Sequence, residues 1–268
     1  MSMRAIAVLV LALAATGCET VQTTQSGVVG VERKQTMLVS SEEVNQSAVQ
    51  AYQAVLQDAQ KKGQLNRDPA QLQRVRAIIA RLIPATAAFR KDAPAWKWEV
   101  NVISSNEVNA WCMPGGKIAV YSGLIQQLNP TDDELAAVIG HEIAHALREH
   151  SREQVSHQMG EGILLSAGAA ILGVGQVGQQ VAQTLLDVTF NLPHSRTDET
   201  EADRIGVELA ARAGFDPRAS VGLWQKMEKL GGSRPPQWMS THPDPANRMH
   251  DLQDYANRVY PLYQQAKK

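Results

Sequence analysis

Apolar residues along this chain fall into regimes of different period, and each period predicts a different element. From Glu42 to Lys62, and again from Pro69 to Ile83, they recur at helical spacing. Leu72, Val75, Ile79 and Leu82 share one stripe, and Gly63 and Pro84 are expected to end the two helices. Between Trp96 and Tyr121 the period shortens to two: Trp96 to Ile103, Glu107 to Met113 and Lys117 to Tyr121 read as strands, with turn chemistry at Pro114-Gly115-Gly116. A small antiparallel sheet is the simplest arrangement of the three. Helix returns at Thr131-Asp132-Asp133-Glu134, a capping box whose hydroxyl and carboxylate satisfy orphan amides while the acids face the positive end of the dipole. That helix is expected to run past His150. Three more follow, at about Thr197 to Arg212, Pro217 to Leu230 and Pro245 to Val259, stopped by Gly214, Gly231-Gly232 and Pro261. The pattern as a whole predicts an α+β domain, mainly helical, with no internal repeat.

Two segments fall outside this alternation. Met1 to Gly17 has a basic start at Arg4, an apolar run from Ala5 to Ala15 and small residues before Cys18, the layout of a bacterial export signal. At eleven residues the run is too short to span a bilayer. The ending Ala14-Ala15-Thr16-Gly17-Cys18 resembles a lipobox, which implies cleavage before Cys18 and lipidation of that cysteine. Glu19 is not the Asp that resembles an inner-membrane retention signal, so the periplasmic face of the outer membrane is the expected location. Residues 18–40, rich in Thr, Gln, Ser, Gly and Val without helical period, read as a tether. Residues 41–268 then form the folded domain, with N-terminal helices over 41–95 and a core over 96–260. The second segment, Gly162 to Gly175, is apolar and glycine-rich but too short for a membrane crossing, and is expected to be a buried helix or a lid.

Composition narrows the chemistry. The 268 residues are 44% hydrophobic and 20% charged, enough to bury a sizeable core, which excludes disorder as the main state. A formal net charge of -1 gives no global field to gather nucleic acid, and no basic patch stands out. Cys18 and Cys112 are the only cysteines, too few for a disulfide framework or a thiolate cluster. Cys112 is expected to be a small buried hydrophobe. Any metal must be held by histidine and carboxylate.

Inside the capped helix lies His141-Glu142-Ile143-Ala144-His145. Spacing of four on a helix stacks both imidazoles on one face, with the glutamate one residue along from the first. Neutral imidazole suits zinc, and a catalytic zinc site keeps a position open for water. Glu142 is placed to take that water's proton and deliver it to a leaving amine. A third ligand is expected from Thr197-Asp198-Glu199-Thr200-Glu201-Ala202-Asp203. Glu199 and Asp203 share a helical face, while Glu201 points about 200 degrees away. Glu199 is therefore assigned to the metal and Asp203 to a hydrogen bond with a ligating imidazole, His145, with Glu201 as the alternative ligand. His150, His157, His194 and His250 have no motif and are expected at solvated or packed positions.

These residues and their surroundings resemble the gluzincin zinc metallopeptidases of the HtpX and BepA type, related to the CAAX prenyl endopeptidases. The likeness includes Val108-Asn109-Ala110-Trp111, Gly115 through Leu124, Glu134 through Gly140, Ser195-Arg196, Glu199 through Asp203, Gly214-Phe215-Asp216-Pro217, and Thr241-His242-Pro243 with Arg248. It implies a zincin-like fold, one zinc per chain, and endopeptidase activity on unfolded or misassembled envelope proteins. The pattern E-x-x-A-D in this family also points to Glu199 as ligand. HtpX carries membrane spans that this chain lacks, so soluble envelope lipoproteins are expected to be the closer comparison, with outer-membrane assembly machinery as a partner. The resemblance implies that His242 sits near the metal, either as a fourth ligand in a resting state or as a donor to the oxyanion, and that Arg248 holds that loop or the oxyanion. An edge strand near Glu107 to Met113 would pair with an extended peptide. The alternative is a periplasmic chaperone or assembly factor with a latent metal site.

Overall fold

The computed structural model describes residues 19–165, 174–231, 237–244 and 247–268. The expected export signal, Cys18 and residues 166–173 of the glycine-rich segment lie outside the described residues. Among the described residues, no helix is long and apolar enough to cross a membrane.

A two-stranded antiparallel ribbon opens the chain, β1 (Glu19–Val21) against β2 (Gln35–Met37). Helix α1 (Ser41–Lys61) is capped by Ser40, whose hydroxyl accepts from the Glu43 N–H, and α2 (Pro69–Ala85) by Asp68, which accepts from Ala70 and Gln71. The predicted break at Pro84 is absent: the helix runs one residue further and then tightens into a 3-10 turn at Thr86–Ala88.

Strands β3 (Glu99–Ile103), β4 (Ala110–Met113) and β5 (Lys117–Tyr121) form one sheet in the order β3-β5-β4. The expected antiparallel pairing holds for β4 and β5, joined through Gly115 and Gly116 at φ 74° and 79°. β3 lies parallel to β5, with Val100 opposite Ile118. The segment between β3 and β4 carries the chain across, so β5 ends in the centre.

Helices α3 (Ser122–Leu128) and α4 (Asp132–Leu147) follow, and both bonds of the Thr131–Glu134 capping box are present. Every residue of α4 from Glu134 to Leu147 is buried. The helix does not run past His150. It ends at Arg148, Glu149 turns left-handed at φ 54°, and α5 (His150–Leu165) sets off in a new direction. Then come α6 (Val174–Phe190), α7 (Arg196–Arg212), α8 (Ala219–Gly231), the short α9 (Gln237–Thr241) and α10 (Arg248–Ala266). α7 has its own capping box between Ser195 and Asp198. α10 continues through Pro261, which was expected to stop it.

Residues 19–39 do not behave as a tether. Val29, Val31, Met37 and Val39 are buried, and Glu208 in the middle of α7 accepts from the Val29 N–H at 3.0 Å. Arg33 donates to Glu153, Asp198 and Glu201, so charged groups, not an apolar pattern, hold this segment down. A composition rich in Ser, Thr and Gln conceals such an arrangement.

α4 and α7 cross with their backbones in contact at Gly140 and Gly206. A methyl group on Gly206 would stand 2.8 Å from the His141 nitrogen and 3.0 Å from the Gly140 carbonyl carbon, main-chain atoms that cannot swing aside. Gly206→Ala is therefore expected to lower stability by about 1–3 kcal/mol through overpacking. Because the displaced peptide is that of His141, metal binding should weaken as well. Denaturant unfolding and zinc titration of the same variant measure both effects, and an unchanged unfolding midpoint would contradict so close a crossing.

Candidate metal centre

The crossing of α4 and α7 sets the His141 and His145 face against Glu199, and the chain after α9 brings His242 to the same point. Four donor atoms, one each from His141, His145, Glu199 and His242, lie within 4.8 Å of one another, and all four residues are buried. His141 Nε2 is 3.0 Å from His145 Nε2 and 3.4 Å from Glu199 Oε2, and His145 Nε2 is 3.3 Å from Glu199 Oε1. His242 Nδ1 approaches Glu199 Oε1 at 2.9 Å and His141 Nε2 at 3.5 Å. Donors placed tetrahedrally at zinc–ligand lengths of about 2.0–2.1 Å stand about 3.3 Å apart, so spacing and donor chemistry both fit zinc. His141, His145 and Glu199 would hold the ion, with His242 at the fourth corner.

Electrostatics at Glu199 and His145 suit the same purpose. Burial acts first on the Glu199 carboxyl by raising it, but His242, His141 and His145 outweigh burial and hold it well below the usual carboxylate range. Burial and the neighbouring His194 push His145 well below the ordinary imidazole value, which keeps it neutral, as ligation requires. Burial also lowers His141, but bonds to Asp203 and Glu199 prevail and raise it to about 9.

Glu142 stands beside this cluster, 3% exposed, and accepts from Trp238 Nε1 at 3.0 Å. Burial lifts its carboxyl above the ordinary value against the pull of His242 and His141. A carboxylate raised toward neutrality is suited to receiving a proton and giving it back.

Asp203 accepts from His141 Nδ1 at 3.0 Å, not from His145 as the sequence suggested. Spacing along one helix gives a face but not the rotation of that face against another helix, and the Gly140–Gly206 crossing turns Asp203 toward the nearer imidazole. Arg248 ties the arrangement together, donating to Glu199 Oε2 at 3.0 Å and Asp203 Oδ1 at 2.8 Å while lying 3.3 Å over the Trp224 ring. Trp224 in turn stacks on Trp238 at 4.7 Å.

Glu201 is no ligand. It accepts from His150, Arg33 and Arg148; against the burial that raises it, the hydrogen bonds from His150 and Arg33 and the charge of Arg148 hold its carboxyl down at about 2. His150, Asp198 and Glu201 are close enough to hold a cation, but the Arg33 and Arg148 guanidiniums already occupy those carboxylates.

Two histidines given no role by the sequence belong to the centre. His150 is fully buried with Nδ1 2.9 Å from His145 Nδ1, and His194 stacks on His145 with ring centroids 4.2 Å apart. His150 has no spacing signal, because the break at Glu149 contains no glycine or proline. His157 and His250 are exposed. Cys112 is buried, and burial raises its thiol well above the ordinary value, in keeping with a packing role.

An HExxH helix, a glutamate from a second helix and a carboxylate beside them form the donor set of a zinc metallopeptidase site. The model of peptidase family M48 matches residues 69–256, and the chain belongs to that family. It is similar to the mitochondrial metalloendopeptidase OMA1 of Bos taurus, 35% identical over 206 residues covering 72% of this chain and 38% of the relative. The human OMA1 metalloendopeptidase is 31% identical over 243 residues, 85% of this chain and 44% of its own length. The beta-barrel assembly-enhancing protease of Escherichia coli is 28% identical over 214 residues, 76% of this chain and 42% of its own. The chain thus spans less than half the length of these relatives. Mitochondrial proteins stand beside the bacterial one, which widens the comparison beyond the envelope lipoproteins expected from the sequence.

Proposed function

We propose that this chain hydrolyses peptide bonds within unfolded or misassembled envelope proteins, with Glu142 as general base. The observation that carries the reading is the convergence of His141, His145 and Glu199 on one point with the Glu142 carboxylate beside it. Bound there, zinc would supply Lewis acidity and lower the pKa of its water to about 7. Glu142 then accepts the proton of the attacking water and returns it to the departing amine, while Asp203 and Arg248 keep His141 and Glu199 in place.

Substrate recognition is assigned to β4. Tyr121 donates to the Asn109 carbonyl, so by alternation the main chain of Asn109, Trp111 and Met113 faces β5 and that of Ala110 and Cys112 faces outward. The Ala110 N–H is taken up by Asn109 Oδ1 at 2.9 Å. An extended peptide pairing along this edge would be chosen for its unfolded backbone rather than its sequence. The name of the Escherichia coli relative, a beta-barrel assembly-enhancing protease, supports a link to the assembly of beta-barrel proteins. With Cys18 lipidated at the periplasmic face of the outer membrane, the chain would enter β1 at once, and the domain would sit close to the bilayer without a long tether.

One observation favours the second reading, a chaperone or assembly factor with a latent site: Glu142, Glu199 and His242 are all buried. Purified protein should carry zinc and digest an unfolded protein, and a chelator should stop digestion until zinc is restored. Digestion that persists in chelator would overturn the peptidase reading, whereas suppression of aggregation that survives chelator alongside no digestion would favour the chaperone.

A further inference from the structure

We infer that His150, backed by Glu201, is the positioning residue that fixes the tautomer and orientation of His145; this rests on the zinc-site reading above. His150 Nδ1 lies 2.9 Å from His145 Nδ1, and His150 Nε2 lies 3.1 Å from Glu201 Oε2. Glu201 is also the acceptor of Arg33 and Arg148, and is thereby committed to its ionised, acceptor-only form. It therefore requires a proton on His150 Nε2. A neutral His150 protonated there offers a lone pair at Nδ1, so the proton shared with His145 belongs to His145 Nδ1. His145 Nε2 is then left with its lone pair facing Glu199 and His141, as a metal ligand needs. Each tautomer follows from the one behind it, and the chain of constraint begins at the two guanidiniums.

The backbone supports this assignment. On a continuous helix His150 would lie about 140 degrees around from His145, out of reach. The left-handed Glu149, at φ 54°, ends α4 and turns His150 back onto the outer nitrogen of His145. Arg33 also donates to Asp198 and Glu153, so residues 19–39 hold Glu201 from outside. Asp203 performs for His141 what His150 performs for His145, and the two ligating imidazoles thus have different kinds of support.

The test compares His150→Phe, which keeps a ring but no acceptor, with His150→Asn, whose Oδ1 can stand where Nδ1 stood. Zinc affinity of the full chain is measured by competition with a chromophoric chelator. The expected result is an affinity about 10–100-fold weaker for His150→Phe and within about threefold of the parent for His150→Asn. Equal loss in both variants, or parent affinity in His150→Phe, would overturn the assignment while leaving the zinc site standing. A parent that binds no zinc would instead remove the reading on which it rests. Ring-nitrogen NMR of the zinc-loaded parent decides the matter even where a variant fails to fold. Protons on His145 Nδ1 and His150 Nε2 support the relay, and a proton on His150 Nδ1 with none on His145 Nδ1 overturns it.

Discussion

Glu142→Gln is expected to retain about one zinc per chain and to hydrolyse an unfolded protein about 10²–10⁴-fold more slowly than the parent. The substitution keeps the shape of the side chain and one carbonyl oxygen, so Trp238 Nε1 keeps its acceptor and the packing beside the metal centre is preserved. What disappears is basicity, since an amide cannot take the proton of an attacking water at neutral pH. None of the three ligating side chains is touched, and metal content should not follow activity downward. The measurement pairs metal analysis with digestion of a denatured substrate. Full activity in the variant would place the general base elsewhere, and loss of zinc along with activity would make Glu142 a structural member of the site. The same variant separates the two functional readings, because suppression of aggregation should survive it.

The parts of this site that the sequence reveals are those written within a single helix. His141 and His145 share a face because they are four apart, the capping box at Thr131 announces where α4 begins, and Glu199 with Asp203 follows the same rule as the histidines. What the sequence hides lies between elements. Asp203 serves His141 because of the rotation of α7 over α4, which depends on the close approach at Gly140 and Gly206. His150 was invisible because nothing around Glu149 marks a helix end: a glutamate at φ 54° is an unfavourable choice that the surrounding structure imposes. Strand order escaped for a related reason, since β4 and β5 are equally apolar and only the crossover decides which lies in the centre. Residues 19–39 misled through composition, because a segment anchored by Arg33 on three carboxylates needs few apolar residues to stay folded.

On the reading that His242 holds the site closed, His242→Ala is expected to raise the rate on an unfolded substrate about tenfold or more, since an open state populated at about 0.1–10% would become the main one. His242 Nδ1 lies against Glu199 and His141, while Trp238 Nε1 donates to Glu142 Oε1. Main-chain bonds from Trp238 to the Val108 carbonyl and from His194 to the Thr241 carbonyl seat α9 beside the β4 edge. Through Trp238, one short helix thereby touches Glu142, His141 and the chain ahead of β4 together. Trp238 also stacks on Trp224 beneath Arg248, so opening must part aromatic faces as well as hydrogen bonds. Removing the imidazole of His242 weakens the cover, takes one partner from Glu199 and leaves His141, His145 and Glu199 in the chain to hold the ion. The sign of the change decides between the two roles the sequence left open for this residue. A donor to the oxyanion would make His242→Ala slower by about 10²–10³-fold, as loss of such donors does elsewhere. Turnover measured at equal zinc loading reads that sign directly, and a fall would mean that His242 acts in the reaction rather than against it.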